Sequence, residues 1–213
     1  MNIYLDLDGP ILDVSDRYYS VHQTIAERYQ FNPLEKQQYW DLKRSHTPVS
    51  EILKYCLADI SSEEYSKHWL RLIERRDFLK HDKLFPETKD ILGAIRKNNR
   101  LVLVTLRKST ENLMWELEHL AIKDLFHYIL VKCNNAGTSA VKQELVKSDP
   151  LFSPKSSLIV GDTEIDILAG RALNIQTVAC AQGIRSRNFL LNLHPDFLID
   201  SLSELNDIVN SLN

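Results

Sequence analysis

Cysteine is scarce and unpaired in this chain. Its three cysteines, Cys56, Cys133 and Cys180, are odd in number, far apart and form no C-x-x-C pair. That excludes a disulfide framework and a cysteine-based zinc site, and fits free thiols in a reducing compartment. The seven histidines show no H-x-x-x-H spacing or cluster either. No apolar run approaches membrane length, and Met1-Asn2 leads straight into the first apolar segment. The expectation is a cytoplasmic protein with no signal peptide and no membrane partner. Neither sign of charge dominates: 26 Lys and Arg against 29 Asp and Glu give a net charge of −3. A nucleic-acid binder would carry a basic excess or stripe. The nearest candidate stripe, Arg71 to Arg76, is broken by Glu74, borders Asp77, and reads as a solvated helix face. Internal repeats and low-complexity segments are also lacking.

What is there suits a globular enzyme. The 213 residues suffice for one core, or for a core with a smaller appended domain. The run Ile3-Tyr4-Leu5 ends at Asp6-Leu7-Asp8-Gly9-Pro10. This predicts a buried strand that delivers two carboxylates to a sheet edge before a turn. Residues 14–84 have little strand character. Tyr18, Val21, Ile25, Ala26 and Tyr29 recur at helical spacing, as do Ile52, Leu53 and Leu57, and Tyr65, Trp69, Leu72 and Ile73. With Pro33 and Pro48 at helix starts, the segment predicts a bundle of about four helices. From Phe85 onward, apolar runs at 101–104, 128–131, 158–160, 177–179 and 197–199 alternate with helical patterns at 88–97, 113–120, 140–146 and 165–173 and a last helix. That alternation predicts an α/β fold with a parallel sheet covered by helices on both faces. Ligands of such sheets bind outside the carboxyl ends of the strands, which here carry Asp6, Asp8, Thr105 and Asp162.

These residues describe phosphate chemistry. Asp6 is a candidate nucleophile, since a carboxylate can attack phosphorus to give an acyl phosphate. Asp8, on the same side of the strand, is placed to protonate a leaving oxygen. Thr105 offers a hydroxyl and nearby backbone N–H groups where negative charge develops. Gly161-Asp162-Thr163-Glu164-Ile165-Asp166 adds two carboxylates four residues apart at a strand–helix junction. An oxygen-only acidic cluster suits Mg²⁺, which screens the repulsion between carboxylate and phosphate.

In order and spacing, Asp6-Leu7-Asp8-Gly9, Thr105, Lys142 and Gly161-Asp162-Thr163-Glu164-Ile165-Asp166 resemble the four motifs of the haloacid dehalogenase-like superfamily of phosphohydrolases. The resemblance implies a Rossmann-like core, residues 1–13 and 85–213, with an all-helical cap, residues 14–84, inserted between the first and second motifs. It implies that Asp6 is the nucleophile and a Mg²⁺ ligand. Asp8 would be the general acid and base and give its backbone carbonyl to the metal. Thr105 and the amide of Leu106 would bind the phosphoryl group, and Lys142 would neutralise charge shared by Asp6 and phosphate. Asp162 would meet the metal directly or through water, and Asp166 would do likewise or orient Asp162 and Lys142. Asp13 reads as a turn or N-cap residue. Pro10 and Leu106 depart from the residues more usual at their positions without removing side-chain chemistry. Arg107 reads as solvated, with a contact to phosphate or a substrate carboxylate as the alternative.

The implied function is a Mg²⁺-dependent phosphatase acting on a small phosphorylated metabolite through an aspartyl phosphate, as a monomer or homodimer. Asp8 disfavours the dehalogenase branch. A phosphomutase or a phosphonate hydrolase, for which Lys43 is the tempting Schiff-base candidate, stays open, as does a non-catalytic binding module on the same fold. The basic loop Lys43-Arg44-Ser45-His46-Thr47 is a candidate contact for an anionic substrate tail, with an exposed helix-end loop as the alternative.

Overall fold

The structure is a computed structural model that describes residues 1–131 and 137–212; Cys133 lies outside them. The chain opens with β1 (Asn2–Leu5) and the short β2 (Leu12–Asp13). Five helices follow: α1 (Ser15–Tyr29), α2 (Lys36–Arg44), α3 (Val49–Tyr55), α4 (Ser62–Leu72) and α5 (Arg76–Leu79). The chain then returns through β3 (Lys83–Leu84) to α6 (Thr88–Arg96), β4 (Arg100–Thr105), α7 (Thr110–His119), β5 (Tyr128–Val131) and α8 (Ser139–Lys147). It finishes with β6 (Ser157–Gly161), α9 (Glu164–Leu173), β7 (Gln176–Cys180), α10 (Arg187–Leu191), β8 (Phe197–Ile199) and α11 (Leu205–Leu212).

Six strands form one parallel sheet in the order β5-β4-β1-β6-β7-β8. The apolar runs are continuous because both sheet faces are buried, and alternate residues serve opposite faces. Ile3 and Leu5 join Leu101, Leu103, Leu158 and Val160 under α6, α7 and α11, through Leu92, Ile95, Leu113, Leu117, Leu205 and Val209. Tyr4 joins Val102, Val104 and Ile159 on the other face, under Leu145 and Val146 of α8 and Ala169 and Leu173 of α9. β1 lies between β4 and β6, with Leu5 level with Leu103 and Val160. The first loop therefore opens where connections run to opposite sides of the sheet, the place such folds use for ligands.

The helices α1–α5 lie between β2 and β3, which pair antiparallel through Leu12 with Leu84 and Asp13 with Lys83. Their core is Val21, Ile25, Phe31, Leu53, Tyr65 and Phe78. The periodicity predicts about four helices here, and five are present because the short α5 adds one turn. Pro48 caps α3, whereas Pro33 sits in the loop ahead of α2. Leu57 leaves the predicted apolar face: α3 ends at Tyr55, and Leu57 takes a φ of 50° and is 92% exposed. Lys43 and Arg44 belong to the last turn of α2 rather than to a loop. Asp13, in β2, accepts the Ser15 N–H at 2.9 Å. The Arg71–Arg76 stretch is no single solvated face. α4 stops at Leu72, the Glu74 carboxylate accepts the Lys108 and Ser109 N–H groups, and Arg76 pairs with Glu111 at 2.7 Å.

Candidate active site

β1 delivers Asp6 to the sheet edge, where its N–H still donates to Val160 O at 2.9 Å. A tight turn follows: Leu7 O accepts from Ile11 and Leu12, and Gly9 N–H donates to Leu12 O. Gly9 has a φ of +98° and leaves no room for a side chain, because a Cβ there would overlap the Asp162 carboxylate. Gly183 backs onto Asp162 in the same way, and Gly161 onto Asp166.

α8 brings Lys142 in from behind, its side chain 2% exposed. Its Nζ lies 3.1 Å from Asp6 Oδ2 and also pairs with Asp166 Oδ1. The other Asp166 oxygen accepts the Thr163 N–H at 3.1 Å and the Thr163 hydroxyl at 2.8 Å, which starts α9 with a capping box. Asp162 Oδ2 accepts the Ile184 N–H, while its Oδ1 is buried with no hydrogen-bond partner. One oxygen from each of Asp6, Asp162 and Asp166 lies within 4.8 Å of the others. With all three carboxylates ionised, one ammonium leaves two negative charges in excess. Burial pushes Asp6 up to about 7, with the Lys142 charge opposing. Asp162 is held well above the usual carboxylate range by burial and by the charges of Asp166 and Asp6. Burial alone would lower Lys142, but Asp166 and Asp6 outweigh it and raise it. The orphaned Asp162 oxygen and the two surplus charges fit a hard divalent cation such as Mg²⁺.

The other half of the site surrounds Asp8. Arg17 Nη2 donates to its Oδ2 at 2.8 Å and Arg107 Nη2 to its Oδ1 at 2.6 Å. Burial would raise the Asp8 pKa, but the two guanidinium groups prevail and hold it down at about 2. Arg107 is therefore not solvated, as its sequence position suggests; its side chain is 5% exposed. The loop after β4 turns back over the sheet edge, and the Arg107 N–H lies 3.4 Å from the buried Thr105 hydroxyl. Arg17, Asp82 and Glu116, which complete this cluster, carry no sequence signal that separates them from ordinary surface charges.

A cavity of about 430 Å³ opens above these groups, lined by Asp6, Asp8, Thr105, Leu106 and Lys142 below and by Tyr18, Trp69 and Ile73 of the helical insertion above. Lys43 stands behind that upper wall, its Nζ 5.8 Å from the Tyr18 ring centre and 5.4 Å from that of Trp69. Burial, with Arg185 nearby, lowers its pKa to about 8. Arg44 is committed elsewhere: it donates to Ala181 O at 2.6 Å and Gln182 O at 3.4 Å.

The model of the haloacid dehalogenase-like hydrolases matches residues 3–180. The chain belongs to this family. It is 22% identical to a pyrophosphatase PpaX of Oceanobacillus iheyensis, over 97% of this chain and 95% of that protein. It is 24% identical to a phosphoglycolate phosphatase of Synechococcus elongatus, over 99% of this chain and 97% of that one. Among solved structures, a haloacid dehalogenase-like family hydrolase from Streptococcus pneumoniae superposes with a TM-score of 0.80 at 21% identity, covering 97% of both chains. For a family spread over many chemistries, the site must decide among them.

Proposed function

We propose that this haloacid dehalogenase-like hydrolase is a Mg²⁺-dependent phosphatase of a small phosphorylated metabolite. The observation that carries the reading is the pairing of Asp6, two residues before Asp8, with the buried Lys142 on the floor of the cavity. In the first step an Asp6 oxygen attacks phosphorus, the bond from phosphorus to the leaving oxygen breaks, and that oxygen takes a proton from Asp8. In the second step water attacks the aspartyl phosphate, gives its proton to Asp8, and Asp6 is freed with release of inorganic phosphate. The arginines favour ionised Asp8, the form the second step needs. The negative charge of a seated phosphate monoester works against them and raises the proton affinity of Asp8 for the first step. Thr105 and the Leu106 N–H bind the phosphoryl oxygens, and Lys142 holds Asp6 and offsets charge there.

Asp6, the free Asp162 oxygen and the Asp8 carbonyl would hold Mg²⁺. Both Asp166 oxygens already have partners, so its part is to orient Lys142. The ion, when bound, screens the carboxylates from the incoming phosphate. Residues 14–84 serve as the cap over the core of residues 1–13 and 85–213, and Lys43, packed on the Tyr18 and Trp69 rings of the upper wall, lends that wall a positive charge for an anionic part of the substrate.

The test is phosphate release from a panel of phosphorylated metabolites, with Mg²⁺ or EDTA. Magnesium-dependent release that falls by at least roughly 10³-fold in Asp6→Asn supports the reading. Silence across the panel from folded, Mg²⁺-bound protein overturns it. An isomerised sugar phosphate in place of free phosphate would mark a mutase, and borohydride trapping of an aldehyde on Lys43 would mark a phosphonate hydrolase.

A further inference from the structure

Both Asp8 oxygens are held by side chains that are themselves sequestered. The Arg17 side chain is 1% exposed and that of Arg107 5%; both border the cavity, and each is anchored to an Asp8 oxygen. Behind them stand Asp82, 0% exposed, and Glu116, 1% exposed. Arg17 Nε lies 3.2 Å from Asp82 Oδ1 and Arg107 Nη2 3.1 Å from Glu116 Oε2, both charge contacts without hydrogen-bond geometry. Arg107 Nη2 also donates to Asp82 Oδ2 at 3.5 Å. The five residues come from the β1 loop, α1, the segment before β3, the β4 loop and α7. Burying such a set costs desolvation that well-packed apolar side chains would avoid. The cluster converges on Asp8, its most exposed member at 20%, which faces the cavity.

We infer that Arg17 and Arg107 are positioning residues that fix the Asp8 carboxyl group where it meets the attacking water, with Asp82 and Glu116 holding the arginines in turn. A lone aspartate has three staggered choices at its first side-chain torsion. Two donors from separate elements, one on each oxygen, leave it one. The Arg107 N–H against the Thr105 hydroxyl ties the same residue to the phosphoryl site. The inference rests on the phosphatase reading, and the experiment separates the two.

The probe is 4-nitrophenyl phosphate, whose leaving group needs no proton. Rapid-mixing release of 4-nitrophenolate reports phosphoryl transfer to Asp6, and decay of the acid-quenched phosphoenzyme reports the step in which Asp8 activates water. In Arg107→Met the decay slows by roughly 10²-fold, the cost of a misplaced group, while the release rate stays within about threefold. Arg107→Lys recovers part of the decay rate, and Arg17→Met behaves like Arg107→Met. Introduced into Asp8→Asn, the arginine substitutions have no further effect, because they act through a group already removed. If the methionine variants do not fold by circular dichroism, Arg17→Lys and Arg107→Lys carry the comparison, since they keep the charge and lose the fork. Equal slowing of both steps, or arginine effects that add to Asp8→Asn, overturns the positioning role. Parent activity lost in Asp6→Asn, with arginine variants that match the parent, overturns the positioning role alone. No turnover in the parent overturns both.

Discussion

Two regions of this molecule bury polar side chains by opposite means. Among the helices of the insertion, away from the sheet edge, they are neutral. His22 stacks on Tyr39 with ring centres 4.4 Å apart and meets the Tyr65 hydroxyl at 2.9 Å. Burial, with the Lys43 charge nearby, lowers His22 to about 4, and burial raises the phenols of Tyr39 and Tyr65. At the sheet edge the buried groups sit in clusters of opposed charge: Lys142 against Asp6 and Asp166, and two arginines against Asp8 and Glu116, with Asp82 beside them, its pKa raised by burial to about 9. A neutral network satisfies hydrogen bonds and specifies packing. A charged one costs more to build and shifts the titration of groups such as Asp6 and Asp8, which is the usual mark of a reacting site.

The contrast is broken most severely at Lys142. Lys142→Met leaves buried carboxylates facing each other without their cation, so stability falls by about 3–5 kcal/mol and turnover by roughly 10²–10³-fold. Chemical denaturation and steady-state rates measure the two, and a loss under 1 kcal/mol would mean that the carboxylates simply take up protons. Next in size is Lys43→Ala. It raises KM about tenfold, the order of one charge–charge attraction near a protein surface, on the best substrate of the panel, with KM for 4-nitrophenyl phosphate nearly unchanged; equal effects on both count against a specificity role.

The charged edge also sets a pH signature. The folded pKa of Asp6 is raised from 3.8 to about 7. Its contribution is therefore full below 3.8 and is lost as pH rises through about 7. Mg²⁺ binds the ionised carboxylates and restores that loss, so its effect on Tm grows from near zero at pH 5 to about 3 °C at pH 8. A Mg²⁺ shift independent of pH would place the ion elsewhere. In the insertion the sign reverses. His22 is lowered from 6.5 to about 4, so the stability its neutral ring contributes is present above 6.5 and lost as pH falls through about 4. The smallest effect belongs here: Tyr65→Phe costs about 1 kcal/mol in thermal unfolding and leaves rates on 4-nitrophenyl phosphate within about twofold. A large rate loss would tie the neutral network to the site after all.

The same division explains what the sequence discloses. Strands of this sheet are continuous apolar runs, and even the edge strands β5 and β8 coincide with the runs at 128–131 and 197–199. Asp6, Asp8, Thr105 and Asp162 stand out because each ends or follows such a run, and the structure brings them to one edge with Lys142 and Asp166. α7 begins three residues ahead of its apolar pattern because Ser109 caps it, accepting the Asn112 N–H. The arginine cluster was not legible. Arg17 stands nine residues from Asp8 and Arg107 ninety-nine, the latter in a context that reads as solvated. Their burial follows from how the insertion and the β4 loop fold over the first loop, which no local pattern encodes.

Three of the chain's six glycines touch this edge, Gly9 and Gly183 against Asp162 and Gly161 against Asp166. Each occupies volume that a methyl group would take from a carboxylate. The acids therefore cast an imprint in the sequence as missing atoms, and a saturation scan should show it: alanine at these glycines would score as severely as loss of an aspartate, at positions that donate no side chain to any reaction.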